Sequence, residues 1–263
     1  MKLKPLIAAI AIGLGSMAAQ AQATGPIKIG MITDMSGIYA DIDGPAGVEM
    51  VKWAVQDCGG KVLGQPIEVL SADHQNKPDI GSSVARKWIE QDHVVMLVGG
   101  TNSGVNLAMA KVTAQEKVPL LAIGPGSARL TNEDCTPYTV HYAYDTVALA
   151  KVAGSALIKQ GYKNWFFLTA DYAFGKSLQA DATTVIKANG GTVAGSVLAP
   201  LGASDFSSFL LQAQSSKAQI LAMANAGGDF INAMKAAKEF GIDKTMKIAG
   251  LLVFINDVHS LGL

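Results

Sequence analysis

Residues 94–131, VVMLVGGTNSGVNLAMAKVTAQEKVPLLAIGPGSARLT, decide the fold class of this chain. The apolar run Val94–Val98 predicts a buried strand, a helical pattern follows it through Lys117, and Leu120–Ile123 predicts a second strand. Each predicted strand ends in a loop of Gly, Ser, Thr or Asn. Because an open α/β sheet binds ligands at the carboxyl ends of its strands, these loops predict a small-molecule site. Free amides at the start of the helix near Ser103 would favour an anionic group.

Strand and helix patterns alternate on both sides of this stretch. Before it the sequence predicts strands and helices in turn at Ile27–Ile32, Pro45–Asp57, Ile67–Ala72 and Pro78–Gln91. After a break at Thr131–Asp145 that includes an extended run, Tyr138–Tyr144, a helix restarts at about Thr146. Further strands and helices are predicted at Asn164–Thr169, Gly175–Asn189, Thr192–Leu198, Asp205–Ser216, Gln219–Ala224, Asp229–Phe240 and Lys247–Phe254. This alternation predicts βαβ units with parallel sheets, in two lobes at 24–144 and 145–263.

Residues 1–23 have the pattern of a secretory signal peptide, with a basic start, an apolar middle and a small-residue cleavage site at Ala21–Ala23. We therefore expect an exported, periplasmic product. The 263-residue chain has equal numbers of basic and acidic side chains. Loss of Lys2 and Lys4 with the leader would leave a small acidic excess, which argues against nucleic acid as a partner.

Catalytic and metal-binding motifs are missing from the sequence. It contains no HExxH, CxxC or GxSxG pattern, and its four histidines are scattered. We expect no catalytic residue, no metal and no cofactor. Cys58 and Cys135 leave two alternatives open, a disulfide in an exported protein or two separate thiols.

Residues 170–177, ADYAFGKS, fit a loose form of the nucleotide-binding P-loop between a strand and a helix. A phosphate cradle needs a slim loop, whereas this one carries Tyr172, Phe174 and the carboxylate of Asp171, which would repel phosphate. We therefore interpret Tyr172 and Phe174 as aromatic walls of a ligand crevice. The alternative is a secreted α/β enzyme or P-loop ATPase that uses Gly175-Lys176-Ser177.

Two further loops follow predicted strands. Tyr39 is either a lid over the ligand or a partly exposed loop residue, and we favour the lid. Gly227-Gly228-Asp229 is either a tight turn with Asp229 as the helix N-cap, or a segment where Asn225 or the Gly228 amide touches ligand. Both interpretations of the second loop stay open.

The chain resembles the periplasmic solute-binding proteins of branched-chain amino-acid type ABC importers. The resemblance rests on the order and spacing of several segments across the mature chain, namely Ile29-Gly30-Met31 through Ser36-Gly37 with Tyr39, Asp73 with Asn76-Lys77-Pro78, Val98-Gly99 through Ser103, Leu130-Thr131, Asp171–Gly175, Asp205-Phe206 and Ala236–Gly241. It implies the type I periplasmic binding fold, two Rossmann-like lobes that close around a small ligand. It also implies a monomer without enzymatic activity that delivers its ligand to a membrane permease. The chain matches roughly the first two thirds of a family member, so we expect the second lobe and the hinge to be incomplete at the C-terminus.

The resemblance also implies the binding residues. Ser103, next to Asn102, would hold the ligand carboxylate with help from Gly126 and Ser127, while Phe174 and Tyr172 close from the second lobe. Family members that bind amino acids hold the ammonium group with an acidic residue, where this chain has Leu251-Leu252-Val253. A subgroup that imports aromatic and other organic acids looks especially similar. The full set of expected ligand-binding residues is Tyr39, Asn102, Ser103, Gly126, Ser127, Tyr172, Phe174 and Asn225.

We therefore expect an extracytoplasmic solute-binding component of an ABC importer. Its ligand would be a small carboxylate, either a branched-chain amino acid or an aromatic or organic acid. Besides the enzyme and ATPase alternative, a ligand-sensing receptor domain with the same crevice remains open.

Overall fold

The computed structural model describes residues 25–262, and the predicted signal peptide lies outside them. We use the predicted boundary after Tyr144 to name two parts, lobe 1 (25–144) and lobe 2 (145–262). Lobe 1 contains, in chain order, β1 (Ile27–Thr33), α1 (Ala40–Asp43), α2 (Pro45–Asp57), β2 (Lys61–Val62), β3 (Gln65–Asp73), α3 (Pro78–Glu90), β4 (Val94–Gly99), α4 (Ser103–Glu116), β5 (Leu120–Ala122) and β6 (Thr139–His141). Lobe 2 contains α5 (Thr146–Lys159), β7 (Asn164–Ala170), α6 (Ala173–Ala188), β8 (Thr192–Ala199), α7 (Ser207–Ser215), β9 (Ile220–Ala224), α8 (Gly227–Glu239), β10 (Lys247–Gly250) and α9 (Ile255–Ser260).

Lobe 1 is built on a six-stranded sheet in the order β2-β3-β1-β4-β5-β6. Every neighbouring pair is parallel except β2 and β3, which form a short antiparallel pair. The predicted pairing of the two strands in the stretch that decides the fold is confirmed, because Leu97 of β4 lies opposite Leu120 of β5 in a parallel ladder. The strand order reverses between β1 and β4, so a crevice opens between the loops that follow these two strands.

Lobe 2 repeats the plan with a four-stranded parallel sheet in the order β10-β9-β7-β8. Its strand order reverses between β7 and β9. The predicted architecture of two α/β lobes with mainly parallel sheets is therefore confirmed. Most predicted elements begin and end within a few residues of the observed ones.

The end of the chain was predicted wrongly. The last strand was expected to run from Lys247 to Phe254, but β10 ends at Gly250 and α9 follows it. An added Cβ at Gly250 would lie 2.9 Å from the ring of Phe230, so this backbone packs too tightly for other residues. The helix begins after Phe254, whose amide donates to the Asp257 carboxylate over 2.9 Å. Asp257, the third residue of α9, thus caps the start of the helix. The prediction missed this helix-start signal because apolar residues precede it.

Asp229 does not cap α8, which corrects one of the two interpretations of that loop. The N-cap is Ala226, and Asp229 is the third residue of the helix. Its buried carboxylate instead accepts the amide of Gly202, with both oxygens at 3.1 Å. Burial raises the pKa of the Asp229 carboxyl to about 6, and the bond from Gly202 opposes this only partly.

Three smaller observations concern the cysteines, the helices and possible metal ligands. Cys58 and Cys135 are separate exposed thiols, so the alternative of a disulfide is not realised in this structure. Within residues 25–262, no helix has both the length and the apolar character needed to cross a bilayer. The same residues contain no cluster of His, Cys, Asp and Glu side chains suited to a metal ion.

We expect Gly30→Ala to destabilise lobe 1. Gly30 lies in the middle of β1, and an added Cβ would lie 2.6 Å from Cζ3 of the largely buried Trp88 ring. Overpacking of this kind costs about 1–3 kcal/mol of unfolding free energy. Urea unfolding followed by circular dichroism would measure it. Gly25→Ala is the matched control because nothing lies within 4 Å of its added Cβ. Equal midpoints for both variants would contradict the packing argument.

We expect Asp229→Asn to alter how stability depends on pH. The folded state binds the Asp229 proton more tightly than the unfolded chain, so this contribution is complete below the ordinary pKa of 3.8 and is lost as the pH rises through about 6. The variant should therefore be more stable than the parent by about 1–3 kcal/mol at pH 8, and the difference should shrink towards pH 4. Urea unfolding across this range measures it. The exposed Asp243→Asn is the control, and a difference that stays constant with pH would refute the assignment.

Candidate ligand-binding site

A cavity lies where the carboxyl ends of the two sheets face each other. The loops that bound it include those after β1 and β4 in lobe 1 and after β7 and β9 in lobe 2, the strands that flank each reversal of strand order. Loops after β5, β6 and β10 contribute the remaining lining residues. Such a reversal is where α/β sheets bind ligands, and here two reversals meet across one gap. The lining residues are Tyr39, Thr101, Asn102, Ser103, Gly124, Pro125, Gly126, Tyr144, Tyr172, Phe174, Ala226 and Leu252.

The cavity is small and its lining carries no charged side chain. Its free volume is about 10 Å³, which is room for about one water molecule. The polar groups that reach it are hydroxyls, one side-chain amide and backbone amides. These groups are neutral. The Asn102 side chain is already bonded to Asn76 and Val105, so hydroxyls and backbone amides are the donors left for a guest.

The polar end of the cavity is the start of α4. Asn102 is the N-cap, and its side-chain oxygen accepts the amide of Val105 over 3.0 Å. The first amides of a helix have no partner within the helix, so those of Ser103 and Gly104 remain available at the positive end of the helix dipole. This arrangement suits an anion, as the sequence predicted.

Ser127 orients Ser103 from behind. The Ser127 amide donates to the Ser103 hydroxyl oxygen over 3.1 Å, which leaves the Ser103 hydroxyl hydrogen free to donate elsewhere. The Ser127 hydroxyl lies 2.8 Å from that of Ser177 in lobe 2. Ser127 is buried and does not line the cavity. The structure therefore gives Ser127 a supporting role, because it holds Ser103 and does not itself reach the cavity.

Tyr39 is a buried wall of the cavity, and the carboxylate of Asp34 fixes its backbone. This carboxylate accepts the Gly37 amide at 2.7 Å and the Tyr39 amide at 2.9 Å. It also accepts the side-chain amide of Asn76 at 2.6 Å, and the oxygen of Asn76 accepts Asn102 at 3.0 Å. One polar chain thus joins the cap of α4 to the loop that carries Tyr39. The alternative of a partly exposed Tyr39 does not hold, because its exposed fraction is 0%.

Aromatic side chains from both lobes form the rest of the walls. The hydroxyls of Tyr39 and Tyr172 lie 2.6 Å apart, and the rings of Tyr172 and Phe174 pack with centroids 6.2 Å apart. An added Cβ at Gly126 would lie 2.8 Å from the Phe174 ring, so only glycine allows this approach between lobes. Burial raises the pKa values of the Tyr39, Tyr144 and Tyr172 phenols. They stay neutral near pH 7 and can donate hydrogen bonds.

Six of the eight predicted site residues line this one cavity, and two do not. Those brought together are Tyr39, Asn102, Ser103, Gly126, Tyr172 and Phe174. Asn225 is buried beside the cavity and donates weakly to the Asp229 carbonyl oxygen over 3.4 Å. Tyr144 was missed, although it ends the predicted extended run after β5. Thr101 and Pro125 were missed too, although both fall in the loops quoted first.

The loop that resembles a P-loop is not arranged as a phosphate cradle. The ammonium group of Lys176 pairs with the Asp171 carboxylate at 2.7 Å on the surface. Gly175 packs against the carbonyl of Ala170, so its small size serves the turn from β7 into α6. The nucleotide-binding alternative gains no support.

Comparison with known proteins agrees with the geometry. The family model described as periplasmic binding protein matches residues 26–263. A curated relative from Brucella melitensis, "Leu/Ile/Val-binding protein homolog 6", is 24% identical over 94% of this chain and 62% of its own length. The chain thus spans less than two thirds of the curated relatives that it matches.

Solved structures of similar proteins agree with the match to the family model. A periplasmic binding protein from Burkholderia mallei is 67% identical, with a TM-score of 0.89 over 90% of this chain and 64% of that one. A branched chain amino acid ABC transporter periplasmic ligand-binding protein from Burkholderia xenovorans is 37% identical, with a TM-score of 0.72 over 90% and 63%. A solute-binding protein of an ABC transporter from Rhodopseudomonas palustris, in complex with 3,4-dihydroxybenzoic acid, is 29% identical, with a TM-score of 0.75 over 85% and 61%. The family match over nearly the whole chain, together with these structures, means that the chain belongs to the periplasmic binding protein family.

Proposed function

We propose that this protein captures a small carboxylate between its two lobes, without chemistry, and delivers it to a membrane permease of an ABC importer. The observation that carries this proposal is that the cavity is lined by the N-cap and first residue of α4, Asn102 and Ser103, where a helix offers unpaired amides and a serine hydroxyl. A carboxylate accepts such donors strongly because it is charged. The Burkholderia xenovorans relative, an ABC transporter ligand-binding protein, supports the same role.

The ligand lacks an α-ammonium group. A buried ammonium needs a carboxylate partner, because an unpaired buried charge is costly. No acidic side chain is among the residues that line the cavity, and the apolar residues Ala226 and Leu252 are part of the lining. An organic acid with an apolar body fits these walls better than leucine does. The complex of the Rhodopseudomonas palustris relative with 3,4-dihydroxybenzoic acid supports this ligand class.

Capture would take place in the periplasm, where the pattern of residues 1–23 directs the chain. The partner would be the permease, with the protein acting as a monomer.

Ser103→Ala should weaken binding of the preferred acid by about 10- to 100-fold, because a hydrogen bond to a charged acceptor contributes about 1.5–3 kcal/mol. Titration calorimetry would measure the change. Ser83→Ala is the control, an exposed serine on α3 in the same lobe. Unchanged affinity in Ser103→Ala would remove this residue from the site.

A panel of aliphatic acids, aromatic acids and amino acids should raise the melting temperature only in its first two groups, because a ligand that binds the native state stabilises it. Differential scanning fluorimetry with each compound in large excess would measure the shifts. Leucine should not shift the melting temperature, because the cavity offers no carboxylate partner for its ammonium group. A larger shift with leucine than with any simple acid would contradict the proposed ligand class.

A further inference from the structure

Direct hydrogen bonds cross the cleft between the lobes at several places. In the part of the chain that the structure describes, the Gly228 amide donates to the Ile38 carbonyl over 3.1 Å, and the Asn256 side-chain amide donates to the Asp41 carbonyl over 2.6 Å. The Tyr39–Tyr172 and Ser127–Ser177 hydroxyl pairs add two more. We call these four bonds the closure contacts.

The closure contacts surround the cavity and hold its walls at a fixed separation. Three of them use the segment Ile38–Asp41 of lobe 1, and the fourth uses Ser127, whose amide orients Ser103. The lobes cannot approach further at this segment. Gly227 has φ +57°, and an added Cβ there would lie 2.8 Å from the Ile38 carbonyl oxygen.

The loop that leads into this segment is anchored within lobe 1 by two carboxylates. Asp34 holds the amides of Gly37 and Tyr39, and Asp73 accepts the Met35 amide and the Ser36 hydroxyl. A guest that is too large therefore cannot be accommodated by a local shift of this loop alone. It must separate the lobes, and separation breaks closure contacts.

We propose that the closure contacts select the ligand by size, so that the site retains acids of about two to five carbons in preference to benzoate. This inference rests on the proposed function. The closed cavity has a free volume of about 10 Å³, so every added atom of a guest displaces a wall. A short acid displaces the Tyr39 and Tyr172 hydroxyls and preserves the remaining contacts, whereas a benzene ring holds the lobes apart and loses several.

Ser177 and Asn256 are specificity-determining positions in this scheme, although neither lines the cavity. Ser177→Ala and Asn256→Ala each remove one closure contact and leave the carboxylate end intact. Asn256 is exposed and Ser177 lies near the surface, so both variants should fold. The matched control is Ser208→Ala, an exposed serine on α7 of the same lobe.

The experiment measures dissociation constants for propionate, butyrate, pyruvate and benzoate by titration calorimetry. In the parent protein the best short acid should bind at least about tenfold more tightly than benzoate. Each closure variant should weaken that acid by about three- to tenfold and benzoate by less than about twofold, since the benzoate complex has already lost the contact. Ser208→Ala should change neither.

A role in general stability would weaken both ligands equally, so an unchanged ratio of the two constants would overturn the proposal. Benzoate binding as tight as the best short acid in the parent protein would overturn it too. In that case the proposed function would stand, because a carboxylate is still captured. Failure of every acid to bind would refute both.

Discussion

The reversal of strand order in each sheet is the constraint on which the site depends. The connection between two parallel strands passes over one face of the sheet. Where the strand order reverses, the connections from two neighbouring strands leave in opposite directions, and a gap opens between the loops that follow these strands. This happens between β1 and β4 in lobe 1 and between β7 and β9 in lobe 2. The two gaps face each other, so the loops after these four strands reach one cavity, together with the loops after β5, β6 and β10. No long insertion is needed to build it.

The electrostatics of the site rely on neutral groups. The start of α4 offers partial positive charge and hydroxyl donors, and no cation lines the cavity. Two carboxyl groups, Asp43 and Asp229, lie behind the walls, and burial raises the pKa of both. The hydroxyls of Thr33 and Thr101 donate to Asp43 and favour its charged form, so they oppose the effect of burial on its pKa. Neither carboxyl is among the groups that line the cavity.

The sequence predicted those parts of the fold that depend on local pattern. Val94–Val98 and Leu120–Ile123 are apolar runs bounded by small residues, and both became neighbouring parallel strands. Residues of the loops that follow both strands line the cavity. Contacts between distant segments were beyond such reasoning. The bond between Tyr39 and Tyr172, and the position of Tyr144 on the cavity, depend on how two lobes meet, and no periodicity within either lobe encodes that. Asp229 was misassigned for a related reason, since its partner, Gly202, lies in another loop.

Ligand binding and lobe closure have to be considered together in a molecule of this kind. A ligand shifts an equilibrium between open and closed forms only by binding one form better than the other. Hydrogen bonds between the lobes, such as that from Gly228 to Ile38, favour the closed form whether or not a ligand is present. Less of the ligand's binding free energy is then needed to close the lobes. These bonds also set a limit, because a ligand gains from them only when its size leaves them intact. The Asp34 carboxylate anchors the backbone of Tyr39, so a guest can displace the Tyr39 hydroxyl more easily than it can displace the loop. In the proposed scheme, affinity and selectivity depend on contacts between the lobes as well as on contacts with the guest.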